Sequence, residues 1–124
     1  MKQLSNLFYN KSSLSIAVTL TIITFSYLYL VMIEQAKCFE VASNTNSLGT
    51  SLGFTLELVQ EFFNARTVEM ITCYKTFNTI WDNIFPVLYG LMYVGWLSFL
   101  FKPFANKYRL LNLFPFLQTI FDWL

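Results

Sequence analysis

At 124 residues the chain is one domain at most, 56% hydrophobic and only 12% charged, with a mean hydropathy of +0.51. Soluble domains carry about 25% charged and about 45–50% apolar residues, so this balance excludes an ordinary soluble domain. The net charge of +1 gives no whole-molecule field that would draw nucleic acid, and the absence of His removes the commonest metal ligand and general base.

The first predicted element is Leu14–Ile33, twenty residues without a charge. As a helix it measures about 30 Å, the thickness of a bilayer core. Lys2 and Lys11 ahead of it would suit the positive end of a signal peptide. The apolar core of a signal peptide, however, is about 7–15 residues long, and no small-x-small cleavage site follows closely here. The segment therefore reads as a retained membrane helix, with the hydroxyls of Thr19, Thr21, Thr24 and Ser26 expected to bond backbone carbonyls or a neighbouring helix.

Residues 34–75 form the polar half. Ser43–Ser51 (SNTNSLGTS) is a loop composition. Leu56, Val59, Phe62 and Phe63 then recur at helical spacing, with Thr55 as N-cap and Glu57 and Glu61 in the early turns. This predicts an amphipathic helix lying on the membrane surface or against the bundle.

A second span is predicted over about 76–101, opening with Asn78, Asp82 and Asn83 and interrupted by Pro86, Gly90, Gly95 and Ser98. Lys102, Pro103, Lys107 and Arg109 end it. The segment 110–124 (LLNLFPFLQTIFDWL) is apolar again but has fifteen residues where a span needs about twenty. The expectation is that a third span is incomplete, either because the sequence is a truncated piece of a longer protein or because the helix ends inside the membrane. The fold class expected is all-α: an integral membrane helical bundle with three hydrophobic segments and an amphipathic outer helix.

Lys2 and Lys11 before the first span, and Lys102, Lys107 and Arg109 after the second, are unaccompanied by acids, whereas 34–75 sets five Glu against Lys37, Arg66 and Lys75. Positive segments stay in the cytoplasm, so the N-terminus is predicted cytoplasmic and 34–75 extracytoplasmic. Cys38 and Cys73 then share the outer side, where an oxidising compartment would let them pair; two unpaired thiols are the alternative. They form no C-x-x-C, and no metal-ligand or cofactor-binding pattern is present.

Asp82 and Asp122 fall inside predicted spans, where a charge costs about 2.5–3.5 kcal/mol on insertion scales. Counted at about 1.5 Å per residue from opposite surfaces, both reach a similar depth. Asp82, Pro86, Tyr89 and Tyr93 follow spacings of four, three and four, which puts a carboxylate and two phenols on one helix face, with Asn83 beside them. Pro86 cannot donate to the Asp82 carbonyl, which predicts a kink. The candidate polar pocket is thus Asp82, Asn83, Tyr89, Tyr93 and Asp122; structural bonding between helices is the alternative.

The stretch Gly53-Phe54-Thr55, Tyr74, Asp82-Asn83-Ile84-Phe85-Pro86-Val87-Leu88-Tyr89-Gly90, Phe114-Pro115 and Asp122 resembles a group of small multi-pass bacterial membrane proteins of unassigned function. The likeness covers Gly53–Leu124 and rests on a D-x-x-F-P-x-x-Y span and the Asp of a later D-x-x-E-N span, whose Glu-Asn would follow Leu124. Phe54 stands where Tyr is usual, and the Gly-x-x-Gly-Arg expected before Tyr74 is not recognisable around Asn64-Ala65-Arg66. The resemblance implies a four-helix bundle in a bacterial inner (cell) membrane and no particular activity. Three function classes stay open: a structural or interaction component partnered by the bilayer and by another membrane subunit or itself; a binding or transport module for a lipophilic ligand or proton; and a small membrane enzyme acting on a lipid-like substrate through a carboxylate pair.

Overall fold

The computed structural model describes residues 1–41, 53, 55–108 and 110–123, and every regular element among them is helical. The predicted loop Ser43–Ser51 lies outside the described residues, as do Phe54, Arg109 and Leu124.

The chain opens with a helix that the sequence reading treats only as a charged flank: α1, Lys2–Lys11. Its pattern is reversed from the usual one. Ser5, Tyr9 and Ser12, at spacings of four and three, are buried, while Leu4 and Leu7 face outward. Ser12 turns to an extended backbone, and the Ser13 hydroxyl accepts from the Ile16 N–H at 3.3 Å, which starts the next helix. This is α2, Leu14–Ala36, with a widened π turn at Leu28–Met32. It passes the predicted end at Ile33 by three residues.

Helix α3, Leu56–Asn64, is capped as expected: the Thr55 hydroxyl accepts from the Leu58 N–H at 3.3 Å. Its inward residue is Phe62, 1% exposed. Helix α4 runs over Val68–Leu100, so it begins before the hydropathy-based boundary at Thr76. The start is set by a cap, not by hydropathy: the Thr67 hydroxyl accepts from the Met70 N–H at 3.4 Å, and Glu69 sits in the favourable first turn. A second π turn, Phe77–Trp81, lies within it. The helix is continuous through Pro86, and its irregular turn falls upstream of that proline. After 3-10 turns at Lys102–Phe104 and Leu111–Leu113 comes α5, Phe114–Asp122, with Pro115 in its first turn.

Helix α4 is the axis of the molecule. Helix α2 packs antiparallel along one side of it: Trp96 Nε1 donates to the Thr21 hydroxyl at 2.9 Å, Thr24 to the Leu88 carbonyl at 3.3 Å, and Tyr27 to the Trp81 carbonyl at 2.8 Å. Closest approach comes at small residues. A Cβ at Gly95 would meet the Ala17 Cα at 3.7 Å and a Leu20 methyl at 3.0 Å, so Gly95 and the fully buried Ala17 bring the two backbones together. Helix α5 packs antiparallel along another side of α4, with Asn112 beside Ser98 and Thr119 beside Gly90.

Above one end of this bundle lies a cap. Cys38 and Cys73 are joined in a disulfide with Cα atoms 6.3 Å apart, tying the chain after α2 to α4. Phe39, 3% exposed, stands edge-on to Tyr74 and Phe77, each at 5.1 Å between centroids. Arg66 seals the cluster: its guanidinium lies 3.6 Å from the Phe62 ring centre and donates to the carbonyls of Phe39 and Phe62, both at 2.8 Å. Burial lowers the Arg66 pKa, with the neighbouring Tyr74 acting in the opposite direction. Arg66, one of three cations in the segment predicted to be extracytoplasmic, is therefore committed to holding α3 on the cap.

Candidate functional site

The predicted site residues separate into two places. Asp82 and Asn83 follow directly on the π turn and are exposed. The widened turn leaves carbonyls within reach of side chains, and the Asn83 amide takes two of them, donating to the Asn78 carbonyl at 2.8 Å and the Thr79 carbonyl at 3.0 Å. Both donors of Asn83 are thereby spent on its own helix. The last residue of α5, Asp122, interacts electrostatically with Asp82, and the Tyr27 phenol in turn feels Asp82. The adjoining Trp123 donates from Nε1 to the Asn83 carbonyl at 3.2 Å. Asp82, Asn83 and Asp122 thus gather where α4 and α5 meet, beside Tyr27 of α2.

Tyr89 and Tyr93 lie elsewhere. They line a cavity of about 260 Å³ between α2, α4 and α5, with Thr24, Phe25, Leu28, Phe85, Met92 and Gln118. The rings of Phe85, Tyr89 and Tyr93 follow one another edge to face at 5.3 and 6.1 Å. Asp82, Asn83 and Asp122 are not among the residues around this cavity. The separation has a simple geometric origin: Asp82 and Tyr93 share a face but stand eleven residues apart, about 16 Å along the axis. Pro86, placed with them by spacing, turns instead onto α5, buried, and its carbonyl accepts from the Thr119 hydroxyl at 3.0 Å.

A second polar centre, which the sequence reading passes over, is better enclosed than either group. Asn112 is fully buried. Its Oδ1 accepts from the Ser5 hydroxyl at 2.7 Å, and its Nδ2 donates to the Ser98 hydroxyl at 2.9 Å and the Ser5 carbonyl at 3.1 Å. One amide thereby joins α1, α4 and the turn before α5. Nearby, the Tyr9 hydroxyl donates to the Tyr108 carbonyl at 2.8 Å; burial raises the Tyr9 pKa, against a smaller lowering from the Asn112 backbone. The signal in the sequence is a single Asn within LLNLF: an isolated amide in an apolar run needs a partner on another helix.

The α4–α5 contact between these centres depends on Gly90. A Cβ there would lie 2.5 Å from the Thr119 Oγ1, too close for either atom to stay in place. Gly90→Ala is accordingly expected to destabilise the protein by about 1–3 kcal/mol through overpacking. Because the clash is with one oxygen, Gly90→Ala/Thr119→Ala should unfold at a higher temperature than Gly90→Ala alone. A double variant no more stable than the single one would place the cost elsewhere.

Among the described residues, every buried side-chain nitrogen and oxygen has a hydrogen-bond partner, and no group of three His, Cys, Asp or Glu side chains is placed to hold a metal ion. At Asn112, Thr119 and Thr24 these bonds join one helix to another, and the acids are exposed. In comparisons with known proteins, no family model, curated protein or solved structure matches the chain.

Proposed function

We propose that the chain is a multi-pass protein of a bacterial inner membrane, with a cytoplasmic N-terminus, and serves as a structural or interaction component whose polar side chains lock its helices together. The observation that carries this reading is the inside-out distribution of polarity. Only 17% of the most apolar window of α2 is buried, and Leu30, Ile22 and Tyr29 are 73%, 61% and 60% exposed. A soluble protein buries such a helix in its core, since each exposed Å² of apolar surface costs about 25 cal/mol in water. A cleaved leader is equally unsuited to α2, because α4 packs on it from Ala17 to Tyr27.

The orientation reading gains support from charge: Lys2, Lys11, Lys102 and Lys107 stand at one end, and the disulfide-tied cap with Glu57, Glu61 and Glu69 at the other. With the inner boundary at Leu100, Asp82 lies about 27 Å away along α4, at the far edge of a core about 30 Å thick. The acids then belong to an outer interfacial belt with Tyr27, Trp81 and Trp123, where both carboxyl-bearing residues are exposed at the end of the bundle. This favours helix locking over chemistry by a desolvated carboxylate pair. The cavity at Tyr89 and Tyr93 supports a second reading, a binding module for a lipophilic ligand.

Alkaline carbonate washing tests the membrane assignment: the chain should stay with the membranes and leave only with detergent. Asp82→Asn/Asp122→Asn should then keep its unfolding free energy within about 0.5 kcal/mol of the parent, as surface changes do, and leave the membrane lipid profile of the cells unchanged. An altered lipid profile with an intact fold would turn the assignment toward an enzyme.

A further inference from the structure

A second cavity, of about 220 Å³, lies at the other end of the bundle between α1, α2 and α4. Its wall is almost wholly apolar: Phe8 of α1, Ile16 and Leu20 of α2, and Leu91 and Gly95 of α4. Between Leu91 and Ser98, which bound it on α4, it extends about 10 Å along the helix axis. Its volume is below the roughly 300–1,000 Å³ of pockets that enclose whole small ligands. The shape suits a stretch of alkyl chain entering along the bundle.

What distinguishes this cavity is the charge at its mouth. Lys11 belongs to its lining, and its ammonium has no partner among the described residues. Ser12, also in the lining, accepts through its carbonyl from the Lys102 ammonium at 2.9 Å, so a second cation stands at the same rim. No acid occurs in residues 1–33 or 83–121, the segments that build this end of the molecule. An apolar slot closed at its rim by two lysines and no carboxylate is complementary to a molecule with an alkyl chain and an anionic head.

We propose that this groove binds one acidic phospholipid of the cytoplasmic leaflet, an acyl segment lying between Phe8, Ile16, Leu20, Leu91 and Gly95 and the phosphate meeting Lys11 and Lys102. The inference rests on the membrane orientation proposed above. It explains why α1 presents Leu4 outward and the half-exposed Leu7 at the edge of the cavity beside Lys11: at the headgroup level those side chains lie at the boundary between acyl tails and water.

The test is native mass spectrometry of the full chain in mild detergent, titrated with phosphatidylglycerol or with phosphatidylcholine of the same acyl composition. Phosphatidylglycerol should bind as a single adduct and phosphatidylcholine should bind at least about fivefold more weakly. Lys11→Gln, on the exposed rim, should weaken phosphatidylglycerol by about fivefold, and Ile16→Trp, which fills the slot from its half-exposed edge, should abolish the adduct. Both variants should keep the parent's thermal transition and disulfide. Equal binding of the two lipids, parental binding by both variants, or a dimer that excludes lipid would each overturn the proposal. Failure of the membrane reading itself would look different, as release of the chain by carbonate without detergent.

Discussion

Asn112→Leu is expected to destabilise the protein by about 3 kcal/mol, since it removes three buried hydrogen bonds, to the Ser5 hydroxyl, the Ser5 carbonyl and the Ser98 hydroxyl, each contributing about 1 kcal/mol. Leu keeps the branching and side-chain heavy-atom count of Asn, so no cavity opens, and the loss would come from hydrogen bonding with some overpacking by the larger methyl groups. Ser98→Ala should cost less, about 1 kcal/mol, because the Asn112 amide keeps its second acceptor, the Ser5 carbonyl, and Oδ1 keeps its donor. Thermal unfolding in one detergent at fixed concentration checks both, and a drop of roughly 10 °C for Asn112→Leu corresponds to the expected loss. If the two variants unfold alike, the amide is not the hub that its three bonds make it. Restoring an amide with Gln in place of Leu should recover little, because the added methylene has no room in a site with no exposed surface.

Opening the disulfide between Cys38 and Cys73 is expected to cost about as much. The bridge closes a loop with a sequence separation of 35, for which chain entropy alone gives roughly 4 kcal/mol. The loss should be local in its consequences. The cap, with Phe39, Phe62, Arg66 and Tyr74, depends on residues 37–41 being held against α4, whereas the Asn112 centre lies at the opposite end of that helix. Cys38→Ser/Cys73→Ser should therefore speed hydrogen exchange in α3 and the first turns of α4 while amides around Ser98 and Asn112 stay protected. Uniform loss of protection along α4 would show that the cap and the bundle form one cooperative unit.

These expectations draw unequally on what the sequence displays. Helix α2 and the cap of α3 are legible because each has a local cause, an uninterrupted apolar run in one case and Thr55 ahead of a periodic pattern in the other. The start of α4 is misplaced by hydropathy because its first turns carry Glu69 and Lys75 and stand in the cap, and only Thr67 marks the true beginning. Helix α1 is illegible for a deeper reason. Burial of Ser5, Tyr9 and Ser12 is meaningful only once Asn112, Tyr108 and Lys102 supply partners, and those lie about ninety or more residues away. The same limit applies to the site. Spacing puts Asp82, Tyr89 and Tyr93 on related faces of one helix, but whether they share a pocket depends on where α2 and α5 cross it. Asn83 misleads in the opposite way: a polar side chain at a candidate site is occupied by its own π turn, which hydropathy does not reveal.

The bond between Ser5 and Asn112 spans a sequence separation of 107. During synthesis, α1 is therefore made long before its partner exists, and its serine and tyrosine hydroxyls must wait until α4 has been made and the chain has turned back. A chain shorter than 112 residues therefore lacks the amide that joins α1 to α4.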